Sequence, residues 1–278
     1  MNLTAKYKSR IAKQFSRAAH TYNSAADVQL DIAFDGLNML PSGSSLGLDI
    51  GCGTGRISQQ LIAKCNKVIA MDLAYGMLEY AKQESAKHKD LHGTKSIQWL
   101  QGDAEQLPIA DKSVDLVFSS MALQWCSNEF EALSEISRVM KPGATAILGI
   151  MCAGSFHQLN DSWLEVDEHR HTNEFKSASC WYEAAKAQEL LVTTVDKEYI
   201  TWHQDIRGLL ASIKSIGANV VLPKINSSTE VLNNSIQGLK ALNRDTIARL
   251  ELAYQMKYSE NSQLPLSYQI SFLRCVKP

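Results

Sequence analysis

The chemistry that can be read most directly from this chain sits in three aspartates and three glycines. Asp49, Gly51, Gly53 and Gly55 fall at alternate positions in the stretch LDIGCGTG, residues 48 to 55, after a short apolar run and before a helical pattern. Glycines so spaced let the backbone turn sharply and approach a ligand that a Cβ would hold away. A helix starting near Arg56 would aim its unpaired N–H groups at the same loop and favour an anionic part of the ligand there. Two common alternatives fail on spacing. A dinucleotide fingerprint, G-x-G-x-x-G, needs glycine where Arg56 stands, and a phosphate-binding loop needs a lysine after its last glycine. Asp72 closes the apolar run KVIAMD, 21 residues after Gly51. There a carboxylate can accept both hydroxyls of a ribose; the plainer reading is a cap for the next helix. Asp103 follows a third apolar run, where an aspartate can equally serve only the turn.

These residues need elements that bring them to one edge. Ile11, Phe15, Ala18, Ala19 and Tyr22 recur at helical spacing within residues 9 to 23, and a second helical pattern runs from Ala25 to Leu40 until Pro41-Ser42-Gly43 breaks it. The first helix reads as a lid, with Phe15 or Tyr22 facing the ligand, or simply as a helix packed outside the core. Strands are predicted before the glycine loop, at 67–72, 96–100, 114–120 and 145–150, with helices between them. The helix before the fifth strand carries Phe130, Leu133, Ile136 and Val139 on one face and is expected to end at Lys141-Pro142-Gly143. Such βα alternation gives a doubly wound parallel α/β sheet with its ligand at the carboxyl ends of the strands. Beyond Ile150 the alternation stops. Residues 156–176, 179–191, 209–218 and 228–256 read as helices, and 198–202 and 266–276 as two further strands. The expected architecture is a Rossmann-like seven-stranded sheet with helical cap insertions: a lid over residues 1–40, a ligand-binding core over 41–150, and a C-terminal part over 151–278.

Composition narrows the function. With 278 residues, 45% of them hydrophobic, the chain can bury a full core, and its formal net charge of −1 gives no field to gather nucleic acid or an anionic membrane. Six scattered cysteines without a C-x-x-C pair argue against a zinc site and suit a reducing compartment. His157, His169, His171 and His203 show no metal-ligand spacing, so no metal is expected. No apolar run approaches the roughly 18 residues of a membrane span, and the residues before Arg10 lack a signal core, so a cytoplasmic protein is expected. Ser119-Ser120-Met121-Ala122 stands where enzymes that act on a flipped base carry [DNS]-P-P-[YFW], which disfavours a nucleobase substrate.

The pattern D-x-G-x-G-x-G after a strand resembles the first motif of class I S-adenosylmethionine-dependent methyltransferases. That resemblance implies a loop of Asp49, Gly51, Gly53 and Gly55 around the methionine part of S-adenosylmethionine, with S-adenosylhomocysteine as product. It implies Asp72 at the ribose, Asp103 accepting from the adenine amino group, Ala104 supplying a backbone N–H, and Leu73, Met77 and Ser119 completing the cofactor site. A narrower likeness runs through residues 15–22 (FSRAAHTY), 123–126 (LQWC), 163–175 (WLEVDEHRHTNEF), 212–218 (SIKSIGA) and 264–268 (LPLSY). Together these resemble the malonyl-acyl-carrier-protein O-methyltransferases of biotin synthesis over nearly the whole chain. The resemblance implies methyl transfer to the free carboxylate of a malonyl thioester on acyl carrier protein, or on coenzyme A. It places Tyr22 beside the methyl donor, Gln124 and Trp125 under the acceptor, and Arg170, Phe175 and Lys214 at the substrate. Glu174 and Ala211 stand where that family commonly has basic residues. The competing expectation on the same scaffold is a small-molecule C- or O-methyltransferase of quinone or secondary metabolism.

Overall fold

The computed structural model describes residues 3–23, 26–87, 96–167, 171–215 and 243–278. Its centre is a sheet of seven strands, β1 (Ser44–Ile50), β2 (Cys65–Asp72), β3 (Ser96–Gln101), β4 (Val114–Ser120), β5 (Met140–Met151), β6 (Leu191–His203) and β7 (Leu264–Val276), in the order β3-β2-β1-β4-β5-β7-β6. The first five run parallel, while β7 lies antiparallel between β5 and β6. Leu48 pairs with Ile69 on one side and Val117 on the other, so the chain order reverses at β1. In such sheets the crevice beyond that reversal is where ligands bind. Leu48, Val68, Ala70, Leu116 and Val117 are all buried, which is why these strands read as continuous apolar runs.

Helices cover both faces. On one, α5 (Glu129–Val139) and α7 (Ala178–Lys186) set Leu133, Ile136, Trp181 and Ala184 against Leu48, Val117 and Leu148. On the other, α2 (Asp27–Asn38), α3 (Arg56–Leu61) and α4 (Tyr75–Ala86) set Leu37, Leu61 and Leu78 against Val68, Leu116 and Phe118. A third apolar cluster joins α6 (His157–Leu164), α8 (Ile206–Ser215) and α9 (Arg244–Tyr258) to β7 through Trp163, Leu209, Leu250, Tyr254 and Tyr268. The first helix, α1 (Leu3–Tyr22), lies on α4. Gly76 permits this close approach: a Cβ there would stand 2.9 Å from the Ser16 Cα, and its N–H donates to Ser16 Oγ.

Several boundaries differ from expectation, each for a local reason. Helix α5 stops at Val139, and Lys141-Pro142-Gly143 belongs to β5. Val114 pairs with Met140 and Leu116 with Thr145, so the intervening residues bulge, with Gly143 at φ +79°. Phe130 is exposed although it shares the spacing of Leu133 and Ile136. The helix expected over 156–176 is α6 alone, and residues 171–177 form no regular element among those described. Strand β6 begins at Leu191, seven residues before the predicted start, and its helix-like prelude ends at Lys186. The described parts of the last two helical stretches are α8 and α9; the remainder, like Arg170, lies outside the described residues.

Candidate active site

Beyond the carboxyl ends of β1, β2 and β4 lies a groove of two connected chambers. Both are walled by Tyr22, Gly51, Gly53, Ser120 and Met121. The glycine loop makes the floor. Gly51 and Gly53 sit at φ +74° and +54°. A Cβ on Gly51 would come 2.1 Å from the Ala122 Cβ, so this position needs glycine for packing against the strand-four exit. A Cβ on Gly53 would meet nothing within 4 Å, because that side faces the groove. Gly55, at φ +79°, does not line the groove; its missing side chain makes room for the Trp99 ring, 2.5 Å from where a Cβ would stand.

Asp72, at the end of β2, lines the larger chamber. Its Oδ2 accepts from Gly53 N at 2.8 Å and its Oδ1 from Ala74 N at 2.7 Å, so the carboxylate ties down the loop and the turn that leads into α4. Each carboxylate oxygen has two lone pairs, which leaves acceptor capacity for a ligand. Burial raises its pKa, while the amides of Ala74, Gly53 and Leu73 favour the ionised form. Leu73, Met77, Asp103 and Ala104 line the same chamber. Asp103 Oδ1 accepts from Glu105 N, and its Oδ2 faces Lys8 Nζ at 2.5 Å. Lys8 reaches across from α1 and touches Glu105 Oε2 at the same distance, while Glu105 also accepts from Ser127 Oγ and Asn128 N. One ammonium thus fastens α1 to the loop after β3, and Glu105 ties that loop to the one after β4.

Not every residue chosen from sequence reaches the groove. Ser119 is buried and its hydroxyl donates to the Ile50 carbonyl at 2.8 Å; the neighbouring Ser120 lines both chambers instead. Strand alternation explains the exchange, since successive side chains point to opposite faces. Asp49 lines only the smaller chamber, where Ser58 Oγ donates to it at 2.5 Å. Burial, opposed by the Ser58 bond and reinforced by nearby Asp72, pushes its carboxyl up to about 7. Gln124 turns its Nε2 back to the Met121 carbonyl at 2.7 Å and lines neither chamber. Trp125 does line the larger one, in edge contact with Phe15 and with Phe175, and Phe175 in turn contacts Phe156. Lys214 is exposed in the last turn of α8 and lines neither chamber. Glu174 is exposed beside a separate cleft that also involves Phe175 and His171.

Tyr22 stands at the junction of the chambers. Burial, with Asp72 adding to it against Arg56, pushes its phenol up to about 12, so it is neutral near pH 7. The residues not found from sequence are Lys8, Gln29, Glu105 and Ser120. Two of them had a signal. Lys8 precedes the stripe of Ile11, Phe15, Ala18 and Tyr22 by one more helical step, and Gln29 shares the buried stripe of Ala33, Gly36 and Leu37. Among the described residues no group of three or more His, Cys, Asp or Glu is gathered as a metal site, and no helix is long and apolar enough to cross a membrane.

Comparison with known proteins bears on the fold and the family. Residues 48–148 match the family described as "Methyltransferase domain". The malonyl-[acyl-carrier protein] O-methyltransferase of Serratia marcescens is 35% identical over 95% of this chain and 94% of its own. The biotin biosynthesis bifunctional protein BioHC of Cellvibrio japonicus is 33% identical over 99% of this chain, which spans only 51% of that longer protein. Among solved structures, phosphoethanolamine N-methyltransferase 2 of Haemonchus contortus, in complex with phosphomonomethylethanolamine and S-adenosylhomocysteine, shares the fold. Its TM-score is 0.57 at 20% identity, over 95% of this chain and 57% of that one. The fold is that of class I methyltransferases, and with relatives this similar over nearly its whole length, the chain belongs to the malonyl-[acyl-carrier protein] O-methyltransferase family.

Proposed function

We propose that this protein methylates the free carboxylate of a malonyl thioester carried on acyl carrier protein, with S-adenosylmethionine as donor, in biotin synthesis. The observation that carries the reading is a groove whose middle holds a neutral tyrosine and, among the described residues, no histidine, its carboxylates being already engaged: Asp72 by backbone amides and Asp49 by Ser58. Asp103 and Glu105 are both engaged by Lys8, and Tyr22 keeps its proton. A carboxylate acceptor suits such a site, because a carboxylic acid with a pKa of roughly 4 is already ionised near neutrality and needs no proton removed.

The cofactor, when bound, supplies an electrophilic methyl group on a sulfonium. The residues present fit it. Asp72 retains lone pairs for ribose hydroxyls, Gly53 leaves the loop side open, and Asp103 with the Ala104 backbone offers an acceptor and a donor to a purine edge. Tyr22 at the chamber junction orients the reacting centre without exchanging a proton. Ile11, Phe15, Leu123 and Trp125 form the apolar wall of the larger chamber, against which the acceptor is held and water excluded. Alignment and dehydration of an oxygen that is already nucleophilic supply the acceleration. The six cysteines, none of them in a disulfide among the described residues, fit the expected cytoplasmic setting. Purified protein incubated with methyl-labelled S-adenosylmethionine and malonyl-acyl carrier protein should place label in a base-labile ester. Label only in a small-molecule acceptor, or none at all, would overturn this reading.

A further inference from the structure

The smaller chamber contains a polar side chain that the fold itself does not use. Gln29, on the inner face of α2, is 7% exposed, yet neither its Nε2 nor its Oε1 has a hydrogen-bond partner among the described residues. Ser120 Oγ, on the wall shared by the two chambers, is likewise without one. Buried amides and hydroxyls are almost always paired, so three orphaned atoms facing one small space point to a ligand that completes them. Asp49 and Arg56, of opposite charge, line the same space, and Thr54 Oγ1 there already donates to Asn23 Oδ1.

The kind of ligand follows from the atoms. An amide offers a donor and an acceptor a short distance apart, and a hydroxyl can act as either. With the Asp49 carboxyl and the Arg56 guanidinium beside them, the complementary partner is a group bearing an ammonium and a carboxylate on one carbon, an α-amino-acid zwitterion. A phosphate would leave Gln29 Oε1 unsatisfied and face Asp49. An apolar group would leave all three atoms bare.

We infer that Gln29 is a positioning residue that reads the amino-acid end of the bound cofactor, its Oε1 accepting from the ammonium and its Nε2 donating to the carboxylate. This rests on the reading of the groove as the cofactor site. By anchoring that end, Gln29 fixes how far the sulfur reaches past Tyr22 into the larger chamber.

The test compares two ligands that share a nucleoside and a thioether and differ in the amino-acid end. S-adenosylhomocysteine has it; 5′-methylthioadenosine ends in a methyl group. Titration calorimetry on Gln29→Met and on Gln29→Glu should show S-adenosylhomocysteine binding weakened tenfold or more, and 5′-methylthioadenosine binding within twofold of the parent. In the absence of ligand, Gln29→Met should melt no lower than the parent, since the amide it removes has no partner in the fold. Equal weakening of both ligands, or unchanged binding of both, would overturn the assignment. If the parent protein itself fails to bind S-adenosylhomocysteine, the cofactor reading fails first, and the two failures are told apart by that control.

Discussion

Asp72 and Asp49 are both buried carboxylates beside the glycine loop, and their surroundings give them different work. Asp72 takes two backbone amides, which favour its ionised form against the burial that raises its pKa, and retains acceptor capacity toward the larger chamber. Asp72→Ala should weaken S-adenosylhomocysteine binding by about 1–3 kcal/mol, the range for leaving buried hydroxyls unpaired; unchanged affinity in calorimetry would reject the ribose assignment. Asp49 has one hydroxyl partner and a pKa pushed up to about 7, mainly by burial. In the unfolded chain it would ionise near 4. The folded state therefore holds the proton more tightly, and stability contributed by this group is present at low pH, falls as pH rises from about 4 to 7, and stays at its lower level above that. Asp49→Asn removes the dependence. Without ligand, the variant should melt higher than the parent at pH 8, and the gap should narrow at pH 5. A gap that does not change with pH would show that Asp49 does not titrate in this window.

The glycine loop as an element separates two jobs that the sequence pattern presents as one. Gly53 faces the groove and Gly55 faces Trp99. Gly53→Ala should fold, with a penalty of about 1–2 kcal/mol for its left-handed backbone, but lose S-adenosylhomocysteine binding. Gly55→Ala should lose stability through collision with the indole, seen as a lower melting temperature. The reverse pattern would mean the loop is oriented the other way. Helix α1 is held over the groove by two kinds of contact, its packing on α4 and the ammonium of Lys8 between Asp103 and Glu105. Lys8→Met keeps the packing and removes the ionic fastening. Its α1 amides should exchange hydrogen faster and S-adenosylhomocysteine should dissociate faster in stopped flow, while Asp72 contacts are preserved. Unaltered exchange and dissociation would show that packing alone holds the lid.

At the scale of the molecule, the sheet centre was legible because strands buried on both faces must be apolar throughout, as VIAM before Asp72 and LVF in β4 are. The glycine spacing and the aspartate one strand over placed the cofactor loop for the same reason: few backbones other than a tight turn require that pattern. Strand β6 was only half legible. It is the sheet's outer strand, and Leu191, Val195, Ile200 and Trp202 are exposed on it beside Thr193, Asp196 and Glu198, so burial imposes no alternation to read. The bulge in β5 was hidden because Lys-Pro-Gly punctuates a helix end as readily as a strand kink. Lys8 and Gln29 were missed because their roles are set by partners distant in the chain. The carboxylates that Lys8 meets are 95 and 97 residues away, and no local pattern encodes that meeting. Polar residues on an apolar stripe, as both are, carry the only trace.

The antiparallel β7 has a consequence for how such a chain is made. It lies between β5 and β6, yet 112 residues separate Met151 from Leu264. Ribosomes add about 5–20 residues per second, so the β5 edge stays unzipped for about 5–25 s after it emerges, with β6 in hand but nothing to hang it on. During that interval the nascent chain presents a row of open amides and carbonyls, the feature that invites pairing between neighbours on a polysome. Strand β7, made after the other six of the sheet, thus turns the open β5 edge into a paired one.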